Sequence, residues 1–413
     1  MDWDACFAER AQQMTASEIR ELLKLLDRPQ VISFAGGIPD PALFPVEAFA
    51  EAYQGVLGDR GLGGRALQYS VTEGHGPLRS WLVAHMAKLG VPCHEDNILI
   101  TAGSQQGLDL LGKVFLSDRS VALVTEPTYL GALQAFNVYQ PRYAVLVPED
   151  LTDGAGPAAV PGARGGFAYV VADFANPTGE RLSEAARIAL LELCEARAIP
   201  LIEDAAYEAI GFGGQRIPAC LTLDVRRTGA IDAARTLYCG TFSKVLSPGL
   251  RVGWICGPRD AIRKITLAKQ AADLHVATIN QMVMLRVAEQ VYESQAARVS
   301  AVYARRCGAL LTAIDAHMPA GVSSTRPEGG MFTWMTLPPG VDADELLVEA
   351  LQEQAVAFVP GRPFSATGGQ NNSLRLNFSL NTEDQLNEGI ARLAGLIART
   401  HAKPASAQRI GRS

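Results

Sequence analysis

The chain lacks the marks of several large protein classes. Its seven cysteines (Cys6, Cys93, Cys194, Cys220, Cys239, Cys256, Cys307) are odd in number and scattered, with no C-x-x-C pair. That speaks against a disulfide framework and for thiols kept reduced in a cytoplasm. The six histidines form no H-x-x-x-H or H-E-x-x-H pattern, so no metal site is expected. No run of about 18 uncharged apolar residues exists, so no membrane span is expected. The N-terminus, Met1-Asp2-Trp3-Asp4, is acidic and lacks the basic and apolar parts of a secretory signal. Positive charge is not in excess. With 37 Lys and Arg against 43 Asp and Glu, the net charge is −6, and the electrostatic footprint of a nucleic-acid binder is missing. No internal repeat appears. The 413 residues, 48% apolar and 19% charged, fit a globular protein of two or three structural units.

What is present starts at Thr241-Phe242-Ser243-Lys244-Val245-Leu246-Ser247-Pro248-Gly249-Leu250-Arg251. A lysine in apolar surroundings is stripped of water, which favours its neutral, nucleophilic amine. Two hydroxyls and an arginine seven residues on offer a seat for a phosphate, because Arg presents fixed donors to its oxygens. An amine beside a phosphate seat points to a carbonyl cofactor that carries a phosphate. Pyridoxal 5'-phosphate (PLP) fits. The alternative is an ordinary solvated lysine.

From residue 97 to 256 short apolar runs alternate with amphipathic ones. Strands are expected at 97–101, 121–124, 167–172, 201–203, 237–240 and 252–256, and helices at 105–115, 129–136 and 183–197. Continuous apolar strands separated by helices predict an α/β unit: a mainly parallel sheet sandwiched by helices. Ligands in such sheets bind beyond the carboxyl ends of the strands. The C-terminal third differs, with helices at 342–354 and 383–399 and strands at 356–359 and 373–378. It predicts a smaller α+β domain, joined to the first by a helical stretch around 280–311 and completed by the N-terminal segment. Residues 150–166 read as a loop, and those from 401 on as a frayed tail. Thr15 and Glu18 predict a capping box for a short helix over 18–26. The domain boundaries are placed at 1–48, 49–295 and 296–413.

Further candidates follow the strands. Ser104, in Ala102-Gly103-Ser104-Gln105-Gln106-Gly107, sits where free N–H groups at a helix start attract a phosphate, though it also reads as a plain N-cap. Asp204, three residues before Tyr207, closes an apolar strand. It suits either a helix cap or a carboxylate set against a pyridine nitrogen. Asn176, in Asn-Pro-Thr-Gly, lies in a turn and could reach a ring oxygen. Tyr129 is a stacking candidate or a core aromatic. Arg375, in Leu-Arg-Leu-Asn-Phe, is a cation inside an apolar strand, which needs either a structural ion pair or a substrate carboxylate. Gly36 and Gly37, after Phe34-Ala35, either form a plain turn between packing elements or allow close backbone approach.

Together these motifs resemble the fold-type I PLP-dependent aminotransferases of class I/II, over roughly 17–399. The resemblance implies a PLP enzyme that transfers an amino group from an L-amino acid to a 2-oxo acid, such as 2-oxoglutarate, in a ping-pong cycle. It implies Lys244 as the Schiff-base lysine and Asp204 on the pyridine nitrogen, with Asn176 and Tyr207 on the ring oxygen. Ser104, Gln105, Thr241, Ser243 and Arg251 bind phosphate in this reading. Tyr129 stacks on the ring, and Arg375, with Gly37 and Asn176, receives substrate. Tyr69 reaches the neighbouring subunit's phosphate, which implies a homodimer with shared active sites. The run Ser17-Glu18-Ile19-Arg20-Glu21-Leu22-Leu23 is similar to the 2-aminoadipate/kynurenine aminotransferase branch, where Arg20 either meets a side-chain carboxylate or stays solvated. Two departures, Asp173 before the Asn-Pro-Thr-Gly turn and Ala205-Ala206 between Asp204 and Tyr207, are expected to reshape the pocket. The rival readings are another PLP reaction on the same fold (β-lyase, decarboxylase or amine oxidase) and a ligand-sensing regulator, which a short N-terminal segment and negative charge disfavour.

Overall fold

The computed structural model describes residues 1, 3–12, 14, 30–154, 156–157 and 160–402. The helix expected over 18–26, its capping pair and Arg20 lie outside the described residues, as does the tail beyond 402. The first strand is short, Ile32–Ser33 (β1). Seven strands then build the main sheet: Ile98–Thr101 (β2), Val121–Val124 (β3), Arg142–Val145 (β4), Gly166–Val170 (β5), Leu201–Asp204 (β6), Thr236–Thr241 (β7) and Gly253–Cys256 (β8). Their order is β2-β8-β7-β6-β5-β3-β4. The pairs from β7 through β4 are parallel, while β8 runs antiparallel to both neighbours. This is the expected α/β sheet.

Burial explains the sequence pattern. Every residue of β2, β3, β5, β6, β7 and β8 is buried, so these strands read as unbroken apolar runs. Successive side chains still take opposite faces. Ala122, Val124, Phe167, Tyr169 and Ile202 enter the main core, whereas Val121, Leu123, Ala168, Val170 and Leu201 pack with Leu190, Leu191 and Cys194 of the helix Glu184–Ala196. β4 is an edge strand, exposed or half-buried throughout, and its mixed composition hides it from a search for apolar runs. Gly166, read as loop, begins β5, and 150–153 within that loop forms a 3-10 turn.

The second sheet comes from the C-terminal third. Ser323–Ser324 (β9), Phe332–Thr336 (β10), Val359–Pro360 (β12) and Ser373–Asn377 (β13) form an antiparallel sheet ordered β12-β13-β10-β9. Val356–Ala357 (β11), which precedes β12, pairs in parallel with β1. The strand expected over 356–359 is therefore split between two sheets. A 40-residue helix, Thr278–His317, connects the two parts of the chain and packs on the closing helix Glu383–Ala402. The helix expected over 342–354 is α-helical only for Ala343–Glu349, with Asp342 as its cap, and widens into a π turn to Gln354.

The sheet sets one edge for chemistry. Thr101, Thr241 and Gly253 are in register across β2, β8 and β7, and Asp204 ends β6 beside Cys239 of β7. Directly opposite Trp254 on β8 stands Gly240, where a Cβ would lie 2.2 Å from the indole. Only glycine lets that buried ring cross the strand. We expect Gly240→Ala to destabilise the protein by about 1–3 kcal/mol, the usual cost of overpacking. The measurement is a lowered urea midpoint, and an unchanged midpoint contradicts this packing.

Candidate active site

One cavity of about 110 Å³ opens at the carboxyl edge of the sheet, lined by Ser104, Gln105, Tyr129, Asp204, Tyr207, Thr241, Ser243, Lys244 and Arg251 together with Val171, Ala206 and Pro248. A volume of that size holds a small organic molecule rather than a single water. Nine sequence candidates thus meet around one space. Asn176, Arg375 and Gly37 adjoin it through hydrogen bonds and contacts described below. Tyr69 does not enter it; its side chain is 80% exposed and meets His275 edge-on.

Strand parity decides which acid faces the cavity. Glu203 and Asp204 are adjacent on β6 and project to opposite faces. Glu203 turns to the face of Leu201, where its oxygens accept from Cys220 N (2.7 Å) and Leu221 N (3.0 Å) and cap the helix Cys220–Thr228. Asp204 shares the face of Ile202 and Tyr169. Its Oδ2 accepts the Tyr169 hydroxyl at 2.9 Å, while its buried Oδ1 has no hydrogen-bond partner among the described residues. Asp204 is therefore no helix cap; Glu203 is. Burial pushes the Asp204 carboxyl up to about 6, against the Tyr169 hydroxyl and Lys244, which favour its charged form. Tyr169 escaped the sequence reading because nothing in the chain tells which strand lies beside β6.

Lys244 follows β7 in the apolar turn that the sequence suggested. Its Nζ donates to Gly37 O at 3.4 Å and lies 5.6 Å from the Tyr207 ring centre. Burial, reinforced by Arg375, lowers its pKa to about 8, although Asp204 pulls the other way. Roughly a fifth of the amine is thus neutral at about pH 7.4, against about a thousandth for an ordinary lysine.

The phosphate-seat candidates converge at a helix start. The helix Ser104–Phe115 has Gly103 at its N-cap, so Ser104 is the first helical residue and not the cap. Gly103 has φ +79°, and a Cβ there would come 2.5 Å from the Arg251 guanidinium. Arg251 donates to Ala102 O and Pro248 O. The Thr241 hydroxyl donates to Ser243 Oγ at 2.8 Å. Free helix N–H groups, two hydroxyls and a guanidinium form a seat for a dianion. The Gln105 side chain is otherwise engaged: it donates to Gly131 O at 2.7 Å and accepts the Tyr129 hydroxyl at 3.4 Å.

Arg375 is 3% exposed on β13. Nη1 donates to Asn176 Oδ1 (2.9 Å), and Nη2 to Ala35 O (2.9 Å) and Gly36 O (3.4 Å). Its carbon lies 4.3 Å from the Phe332 ring centre and 5.2 Å from that of Phe364. Among the described residues its Nε has no partner and no carboxylate pairs with it. The structural ion pair considered from sequence is absent there, and burial lowers its pKa to about 10. Asn176 also donates to the Tyr207 hydroxyl at 3.4 Å, which links this cation to the cavity.

Of the two departures, Ala206 lines the cavity and Asp173 does not. Asp173 is turned away into a buried pair with Arg187 at 2.7 Å.

A family model described as aminotransferase class I and II matches residues 29–393. A 2-aminoadipate transaminase of Thermus thermophilus is 42% identical over 404 residues, covering 96% of this chain and 99% of the relative. An aromatic-amino-acid aminotransferase of Thermococcus litoralis is 38% identical, covering 96% of this chain and 95% of the relative. Among solved structures, an alpha-aminoadipate aminotransferase from Thermus thermophilus complexed with N-(5'-phosphopyridoxyl)-L-leucine superposes with a TM-score of 0.86 at 39% identity, covering 97% of this chain and all of that one (100%).

The lysine makes a prediction of its own. Competitive acetylation of the ligand-free protein across pH should show Lys244 reactivity rising through an apparent pKa of about 8, against 10.5 for an ordinary lysine. Asp204→Asn removes the charge that opposes the shift and should lower this pKa further. A midpoint at the ordinary lysine value contradicts the desolvated amine.

Proposed function

The chain belongs to the class I and II aminotransferases, and from that premise we propose that Lys244 is the covalent seat of PLP in a site bounded by Asp204 and Arg375. The protein is a PLP-dependent aminotransferase that moves an amino group from an L-amino acid to a 2-oxo acid. One observation carries the site assignment. Two buried ions of opposite sign, Asp204 and Arg375, each retain an unpartnered atom, and the Lys244 amine is within electrostatic reach of both. The residues fit the cofactor: Asp204 Oδ1 lacks a donor that a pyridine N–H would supply, and the cradle over Gly103 is open to a phosphate only because no Cβ fills it.

When bound, the cofactor supplies a protonated pyridine ring that takes up the electron pair freed as a Cα–H bond breaks. The chain's residues do the rest. Asp204, held by Tyr169, keeps the ring nitrogen protonated, and that proton in turn favours its ionised form. Asn176 and Tyr207 would donate to the cofactor's ring oxygen, and Tyr129 would stack on its ring. Ser104, Gln105 (through its backbone N–H), Thr241, Ser243 and Arg251 hold the phosphate. Arg375 forks the substrate α-carboxylate. A side chain at Gly37 would sit 3.7 Å from the Arg375 guanidinium, so glycine there keeps the carboxylate's approach clear. Lys244 Nζ would take the proton from the substrate Cα and pass it to the cofactor in the first half-reaction, and would carry the same proton transfer in reverse in the second. Two half-reactions make the cycle ping-pong, with 2-oxoglutarate as acceptor. The relatives' names nominate 2-aminoadipate and aromatic amino acids as first donors to test, and Arg20 is the residue for a side-chain carboxylate.

The assembly is a homodimer in this reading. Exposed Tyr69 is followed by Ser70 and Val71, which with exposed Leu267 and Leu274 line one surface cavity of about 860 Å³, suited to a second copy carrying Tyr69 to its neighbour's phosphate. A cytoplasmic site of action is our reading of the odd number and scatter of the cysteines; no helix among the described residues is long and apolar enough to cross a membrane. The proposed division remains 1–48, 49–295 and 296–413.

Formation of glutamate from 2-oxoglutarate and 2-aminoadipate or phenylalanine tests the reading. Lys244→Ala should lower turnover by about 10³-fold or more. Arg375→Ala should raise KM for the amino acid by about 10- to 150-fold, the loss expected for a hydrogen-bonded charge. Undiminished turnover in Lys244→Ala refutes the assignment.

A further inference from the structure

Arg187 is fully buried in the helix Glu184–Ala196 (side-chain exposure 0%) and does not line the active-site cavity. All five of its N–H donors are used. Nε donates to Leu182 O (3.2 Å), and Nη1 to Asp173 Oδ2 (3.1 Å) and Pro218 O (3.1 Å). Nη2 donates to Ala172 O (3.0 Å) and Asp173 Oδ1 (2.7 Å). These acceptors flank the Asn176 turn on both sides. Ala172 and Asp173 lead into it and Leu182 leaves it, with Leu182 N bonded back to Ala172 O at 2.9 Å. Pro218 belongs to the segment entering the helix that Glu203 caps.

The enclosed segment does not hold its shape by local preference. Phe174 has φ +54°, a left-handed conformation that a bulky residue adopts only where its surroundings impose it. Its ring fills the space above Gly211 and Gly329, where a Cβ would meet it at 3.0 and 2.5 Å. At the tip, Thr178 O accepts the Thr325 hydroxyl at 2.6 Å. Between base and tip stands Asn176, which accepts from Arg375 and donates to Tyr207.

We propose that the buried Asp173–Arg187 pair is a positioning device for Asn176, and through it for the substrate-carboxylate seat of Arg375. The pair closes the base of the turn bidentately, so that the strained Phe174 delivers the Asn176 amide to a fixed point. Neither residue touches the cavity. The inference rests on the aminotransferase reading above, in which Asn176 meets the cofactor's ring oxygen and Arg375 meets substrate.

The test uses PLP-loaded Asp173→Asn, Asp173→Glu and the double variant Asp173→Leu with Arg187→Met. An apolar pair of similar volume commonly restores the stability lost when one buried partner is removed. The first readout is the pH midpoint of the holoenzyme's visible band. A weakened Asn176 hydrogen bond to the ring oxygen should raise it by about half a unit to one unit. The second is the kinetic split: KM for the amino acid should rise about tenfold, with kcat changed by less than about threefold. The proposal predicts that the double variant recovers its thermal midpoint while both readouts stay shifted. Recovery of both readouts along with stability would mean that the pair only stabilises the fold, and would overturn it. Wild-type readouts in the folded single variants, or failure of all three variants to fold, would overturn it likewise. A wild-type holoenzyme with no titrating visible band would instead sink the aminotransferase reading itself.

Discussion

Everything in this protein's centre follows from holding charged groups out of water without fully pairing them. Asp204 and Arg375 are buried and Lys244 half-buried around one small space, and desolvation pushes each towards its neutral form. An isolated buried ion is costly and normally finds a partner. Here Asp204 has one oxygen satisfied and one orphaned, and Arg375 has two backbone carbonyls, an amide and two aromatic rings in place of a carboxylate. The deficits mark where a ligand donor and a ligand anion belong. A fold that completed these interactions internally would be better satisfied and inert.

The rest of the chain keeps those groups from relaxing. Burying both faces of the main sheet fixes strand register, and register fixes which side chains reach the carboxyl edge. That is why two adjacent acids on β6 serve different ends: Glu203 settles a helix N-terminus, while Asp204 is left to the cavity. Tyr169, on β5, braces Asp204 from the neighbouring strand. Arg187 and Asp173 brace the Asn176 turn from behind. Asp204 and the Asn176 turn are thus each braced by residues that do not line the cavity.

Much of this was legible in the sequence because it depends on local pattern. The buried strands announce themselves as apolar runs, and the lysine turn, the Asn-Pro-Thr-Gly turn and Asp204 sit where those runs end. What depends on the neighbour across the sheet was not legible. Tyr169 looks like any core aromatic until β5 is known to lie beside β6. Edge strand β4 lacked an apolar run because one side of it has no neighbour. Asp173 looked like a pocket residue because it precedes Asn176, yet strand geometry turns it to Arg187, fourteen residues on. Ser104 looked like a cap, but the positive φ of Gly103 starts the helix one residue earlier.

The central claim is that Lys244, and no other lysine, is the residue to which PLP is joined. The direct measurement is borohydride reduction of the holoenzyme followed by peptide mass spectrometry. The account predicts one phosphopyridoxyl adduct, on the peptide carrying Lys244. An adduct on another lysine, or none in protein that retains its cofactor, would contradict it.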